Sequence, residues 1–292
     1  MDQSFAESLR GILSACLGRT IGQVRLDPVS GGSINRSFRV QVQDNLRFFC
    51  KINSSCGFPS LFEKERNGLR LLRSAGALHV PEVLALQEIS GTQILVMEWI
   101  ETGPRPGRFW QHFGEGLAHL HQVTQPYFGL GEDNYMGSMH QSNLQSISWC
   151  EFFAEKRLTP QLDLALLNHL LDASQVRHFK TLFKKLESIF QPGPPALLHG
   201  DLWSGNFLCD QHGHAVLIDP AVYFGNPGMD LGMTTLFGGF EKAFYEAYHY
   251  HSPFPANYRQ QWEICNLYPL LIHLNLFGRS YLPQILRTIQ SY

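Results

Sequence analysis

The densest chemistry in the chain is His199-Gly200-Asp201-Leu202-Trp203-Ser204-Gly205-Asn206, followed by Ile218-Asp219-Pro220. Phosphoryl transfer from ATP needs a carboxylate that accepts the acceptor's hydroxyl proton and aims the oxygen in line with the γ-phosphate. It also needs hard oxygen ligands that hold Mg2+ against the phosphates, because the metal neutralises charge on the transferring group. An Asp with an Asn five residues on sets both around one tight loop, and a second Asp at the end of a neighbouring strand adds a charged ligand. Asp201 is then the candidate base, and Asn206 and Asp219 are the candidate metal ligands. Asp, Asn and Gly also make ordinary turns. That bland reading does not account for His199 two residues ahead of Asp201, or for the apolar run ending in Asp219.

A second group lies in the N-terminal third. Gly31 and Gly32, followed by Ser33, let a backbone close over phosphates without a Cβ in the way, although a Gly pair also makes hairpin turns. The segment is not Gly-x4-Gly-Lys-[Ser/Thr], so a P-loop is excluded. Lys51 sits mid-strand between Cys50 and Ile52, where a lysine alone usually points to solvent. A helix carrying Glu65 begins shortly afterwards, and a strand Lys paired to a helix Glu aims an ammonium at the α- and β-phosphates. Glu63 is the rival partner; Glu65 is preferred because it lies one turn before Leu69 on the apolar side. Glu98, Trp99 and Ile100 stand where a hinge would offer backbone groups to adenine, in a geometry that a buried strand running into a loop would share.

These residues need elements to position them. Residues 5–17 read as a short amphipathic helix. Phe38, Val40 and Val42 alternate with polar residues as a half-buried strand does, and Phe48–Ile52 and Ile94–Met97 read as further strands. Residues 60–75 fit a helix. Breakers at 102–107 follow, and the remainder reads as mostly helical: 108–123, 146–158, 160–190, then 229–250 and 257–288 in pieces. The expectation is an α+β, two-lobed fold, with residues 1–101 a small antiparallel-sheet lobe with hinge and residues 102–292 a mainly helical lobe.

Charged residues are only 16% and net charge is −2, without a basic stripe, so nucleic acid is not a favoured partner. Six cysteines with no Cys-x-x-Cys suggest free thiols in a reducing compartment. With no apolar signal core or membrane span in the sequence, a cytoplasmic protein is expected. His249 and His251 lack a carboxylate or Cys partner at metal spacing and read as surface residues. Ser204 is not in a Gly-x-Ser-x-Gly elbow, since Leu202 holds the first Gly position. Asp230 reads as a helix N-cap or a brace on the catalytic loop.

The sequence resembles the fructosamine-3-kinase family, relatives of the aminoglycoside phosphotransferases with a protein-kinase-like fold. The loop from His199 to Asn206 and Asp219 are common to that superfamily. Three stretches are more specific: Phe128–Gly137, Trp149–Leu158 with Pro160-Gln161, and Leu198–Asn206 with Trp203 inside it. Tyr268–Tyr281, with His273 and Phe277-Gly278, resembles the family's C-terminal helix. The resemblance implies ATP and Mg2+ as cofactors, and phosphorylation of the sugar 3-hydroxyl of a ketosamine on a small amine or protein. The 3-phosphate then eliminates and frees the amine. It implies that Asp201 activates the hydroxyl and that Trp203 and His273 line the acceptor cleft. His199, with Asp230, is expected to give the loop structural support. The stretch 128–161 would lie on the substrate side. Ser33 stands where some relatives carry Cys. Another small-molecule kinase of the same fold, acting on an aminoglycoside, choline or a sugar, is the alternative, as is a non-catalytic nucleotide-binding module. Oligomeric state is not legible in the sequence.

Overall fold

The computed structural model describes residues 3–30 and 34–292. Helix α1 (Gln3–Leu17) precedes strands β1 (Arg25–Val29), β2 (Arg36–Gln41) and β3 (Arg47–Ser54). Helix α2 (Leu61–Ser74) is inserted before β4 (Val83–Ile89) and β5 (Thr92–Glu98). The five strands form one antiparallel sheet in the order β1-β2-β3-β5-β4.

Side-chain alternation decides what each face does. Phe38 and Val40 of β2, Phe48, Cys50 and Ile52 of β3, and Ile94 and Val96 of β5 pack under Leu9 and Leu13 of α1. Leu95 and Met97, with the opposite phase on β5, pack with Leu61, Phe62, Leu69 and Leu72 of α2. β5 is therefore buried on both faces, which is why it reads as a continuous apolar run. Lys51 falls on the α2 side of β3 because Cys50 and Ile52 face α1.

The rest begins with α3 (Phe109–His121), a hairpin of β6 (Asn134–Met136) and β7 (Met139–Gln141), and α4 (Trp149–Phe152). α4 passes through a π-helical stretch, Phe153–Leu158, into α5 (Thr159–Leu167); α6 (Ala173–Phe183) and α7 (Leu186–Ile189) follow. The expected 160–190 helix breaks after Leu167, and Asp172 caps a new helix with a full capping box to Gln175. Four three-residue strands come next: β8 (Ala196–Leu198), β9 (Phe207–Cys209), β10 (Ala215–Leu217) and β11 (Tyr223–Gly225). β8 pairs with β11 and β9 with β10. Helices α8 (Gly228–Leu236), α9 (Lys242–His251), α10 (Tyr258–Cys265), α11 (Leu267–Phe277) and α12 (Leu282–Ile289) complete the chain. A sheet with one inserted helix, joined to a helical part through a continuous apolar cluster, is the expected kinase-like α+β architecture. No helix among the described residues is long and apolar enough to cross a membrane.

Candidate active site

The loop between β8 and β9 carries the site. Gly200 has φ +83°, and a Cβ there would lie 2.0 Å from the Ala221 carbonyl oxygen, so the chain can make this turn only without a side chain. Two backbone bonds clamp the loop to the turn that holds Asp219. Ala221 N donates to His199 O at 2.9 Å, and Ile218 N donates to Asn206 O at 3.1 Å. Asp219 has φ +52°, a left-handed conformation that Asp adopts more readily than most residues. His199 is fully buried. Its Nδ1 accepts from Asp201 N at 3.2 Å, which leaves the ring proton on Nε2 to donate to Ile218 O at 2.9 Å. Burial holds His199 below the usual imidazole range, so it braces the loop as a neutral ring.

Asp230 braces the loop from behind. It accepts from His199 N at 2.8 Å and from Gly200 N at 2.9 Å, and it meets His121 Nε2 at 3.2 Å. The N-cap reading is corrected: Asp230 lies inside α8, whose N-cap position is Pro227. His121 in turn bonds Tyr248 Oη at 2.8 Å. Burial would raise the Asp230 carboxyl, but the hydrogen bond to His121 and the amide of Gly200 outweigh it and hold it below the usual range.

On the other side of the loop, Asn206 Nδ2 donates to both the backbone oxygen and Oδ2 of Asp201, each at 2.8 Å. Burial pushes the Asp201 carboxyl up to about 7, against the pull of Asn206. Lys51, 3% exposed, pairs with Glu65 Oε1 at 2.7 Å and with the Asp219 carboxylate. Burial acts to lower Lys51, and the two carboxylates overcome it, so the ammonium stays charged. Glu63 turns away to Arg66 at 3.3 Å.

With its amide hydrogens turned to Asp201, Asn206 has its carbonyl oxygen left for a ligand. The Asp219 side chain is 41% exposed. A neutral and an anionic oxygen facing one space suit a hard cation such as Mg2+.

These groups line one cleft of about 400 Å3. Lys51, Glu65, Asp201, Asn206 and Asp219 share it with Tyr135, Trp203, His273 and Phe277. Trp203 is 37% exposed; its indole lies over Gly205 and meets Phe237 at 5.7 Å between ring centroids. Phe237 also meets His273, at 5.2 Å.

Some expected residues are not brought here. Glu98, Trp99 and Ile100 are not among the cleft walls: the Glu98 amide donates to Glu82 O at 2.8 Å, and the Trp99 ring lies beside Arg39 and Phe49. Gly31, Gly32 and Ser33 lie outside the described residues. Of the stretch 128–161, Asn134–Gly137 reach the cleft, whereas Trp149, Phe152, Phe153 and Leu158 are core. The substrate-side reading of that second segment is therefore corrected. Its buried Arg157 stacks on Tyr223 at 4.0 Å and bonds Asn143 Oδ1 at 2.7 Å, supporting the segment behind the loop.

Sequence reasoning missed a link between α2 and the β6–β7 region. Glu132 accepts from Lys64 Nζ at 2.6 Å and from Asn67 Nδ2 at 2.8 Å, and Tyr135 Oη donates to Pro59 O at 3.1 Å. These partners are 65 to 76 residues apart, so no local pattern announces them.

A sequence profile described as fructosamine kinase matches residues 6–292. A probable ketoamine kinase of Enterococcus faecium is 38% identical over 269 residues, covering 91% of this chain and 94% of the relative. The chloroplastic protein-ribulosamine 3-kinase of Arabidopsis thaliana is 35% identical over 280 residues, covering 94% and 84%. The crystal structure of a candidate fructosamine-3-kinase from Thermobifida fusca superposes with TM-score 0.88 at 30% identity, covering 97% and 98%. A GDP complex of aminoglycoside 2′-phosphotransferase-IIIa, at TM-score 0.61 and 13% identity, shares the fold alone. A family profile that spans residues 6–292, and relatives that align over about nine tenths of the chain, place it in the fructosamine kinase family of ATP-dependent phosphotransferases.

Proposed function

We propose that this protein transfers the γ-phosphoryl group of ATP to the 3-hydroxyl of a ketosamine, either a small glycated amine or a glycated lysine on a protein. The observation that carries this reading is the placement of Asp201. It faces the cleft beside Asn206 and Asp219, and burial lifts its carboxyl towards neutrality, where a base is effective.

Asp201 takes the proton of the 3-hydroxyl as that oxygen bonds to phosphorus and the β–γ bridging oxygen leaves with ADP. Lys51, charged and held by Glu65, faces the nucleotide phosphates. Asn206 and Asp219 would hold Mg2+, which would neutralise charge on the phosphates. Trp203 and His273 line the wall where the sugar and its amine substituent sit. The Asp230 brace keeps the loop backbone fixed while charge moves on its other side.

The test is ATP consumption by the purified protein with Mg2+, offered ribulose-lysine, fructose-lysine, an aminoglycoside and choline in turn. Turnover on a ketosamine that disappears in Asp201→Asn is the expected result. Turnover confined to the aminoglycoside or to choline would discard the ketosamine reading while leaving the catalytic residues in place.

A further inference from the structure

Away from the cleft, the seam between α3 and α9 carries a second set of side chains with ligand chemistry. Glu115 and His119 are four residues apart on α3 and so share one face. His251 is the last residue of α9. Their ligand atoms all lie within 4.8 Å of one another. His251 Nε2 is 3.7 Å from Glu115 Oε1, and the His119 and His251 rings are 5.3 Å apart between centroids. His119 is exposed and the other two are partly so, which leaves a path for an ion and a side open to water. The carboxylate missing beside His251 in the sequence is therefore supplied by a helix more than 130 residues earlier. His249 does not join the cluster, because its Nδ1 accepts from Phe254 N at 2.9 Å.

The backbone beneath is firm. At Gly114 the two helices approach so closely that a Cβ would lie 2.1 Å from the Phe244 carbonyl oxygen. The buried His121–Tyr248 bond ties the same helices two residues beyond His119 and three before His251. Two imidazoles and one carboxylate with a fourth position open to water form a known zinc donor set. Imidazole ligands favour ions of the zinc class over Mg2+ or Ca2+. Tetrahedral zinc sets its ligand atoms roughly 3.4 Å apart, so rotation of exposed side chains by an ångström or so closes the site without moving a helix.

We propose that Glu115, His119 and His251 form a binding site for a divalent transition-metal ion of the zinc class, clipping the end of α9 to α3 and separate from the phosphate cleft. The experiment uses the full chain, stripped with EDTA and dialysed, then titrated with ZnCl2 by calorimetry and followed by thermal unfolding. One saturable equivalent with a raised unfolding temperature is expected. His119→Ala and His251→Ala should each lose that equivalent while keeping the metal-free unfolding temperature. Asp219→Asn in the cleft, and a His212→Ala/His214→Ala pair elsewhere on the surface, should retain it. No saturable equivalent in the native chain, or an equivalent that survives in His119→Ala and His251→Ala, would overturn the assignment.

Discussion

Asp201 and Asp230 flank the same loop, and the protein treats their carboxylates in opposite ways. Asp230 is supplied with two backbone amides and an imidazole, and it is held ionised below the usual range. Asp201 receives one side-chain amide, sits among other acids and is pushed up to about 7. Burial raises both carboxyls, and only at Asp230, 1% exposed, do the donors outweigh it; Asp201, half-buried at the cleft wall, has too few to do so. A fully satisfied carboxylate makes a fixed anchor, whereas an under-supplied one makes a group ready to take a proton.

The largest effect that could break this contrast comes from Asp201→Asn. Turnover should fall roughly a thousandfold, while ATP affinity stays nearly unchanged, because the side chain orients the acceptor rather than the metal. The same change should stabilise the fold. An acid whose folded pKa lies above its unfolded value costs stability as pH rises from about 4 to about 7, and the cost is complete above that. The unfolding midpoint of Asp201→Asn should therefore exceed the native one at pH 8, with the gap closing towards pH 4. A lower midpoint at pH 8 would mean that Asp201 is a structural anchor after all.

Asp230→Ala should do the reverse. It leaves His199 N and Gly200 N buried without their acceptor and should lower stability by about 3–5 kcal/mol in urea unfolding. Because the folded pKa of Asp230 is depressed, its contribution is present above the unfolded value and is lost as pH falls through the folded one. The deficit of Asp230→Ala should shrink on acidification, a loss of stability at neutral pH where Asp201→Asn gives a gain.

Smaller changes sharpen the distinction between the two sides. Glu132→Gln removes the ion pair that ties α2 to the β6–β7 region. The pair is partly exposed and so worth about 0.5–1 kcal/mol. It should raise the KM for ATP roughly two- to fivefold through a looser Glu65, with unfolding little altered. Tyr248→Phe deletes the hydroxyl bonded to His121 behind Asp230. It should cost about 1 kcal/mol of stability and leave the KM for ATP unchanged in steady-state assays.

The loop was legible because its parts are close in the chain. Asp201 and Asn206 are five residues apart, and Asp219 follows within one hairpin, so local turn chemistry already gathers them. Lys51 and Glu65 were legible for a similar reason, being a strand and the next helix. Asp230 was half legible: its residue type was noticed, but two backbone amides 30 and 31 residues earlier leave no mark in side-chain spacing. The Trp149–Leu158 segment was misplaced because a family-specific pattern does not say which way its aromatic residues point. The tertiary structure turned them into the core and left Asn134–Gly137 at the cleft.

The amino-acid sequence by itself determined the chemistry on offer, the strand alternation that turns Lys51 away from α1, and the glycine that lets the loop turn at residue 200. Those depend on residue type, on a period of two or 3.6, and on steric limits of the backbone within a few residues. Only the tertiary structure decided which carboxylate would be fed with donors and which left short, which helix Glu132 would hold, and that His251 would meet Glu115 and His119. Each of these requires groups that are distant along the chain, or supplied by different elements, to be brought within bonding reach, and that is a property of packed elements rather than of any stretch of chain.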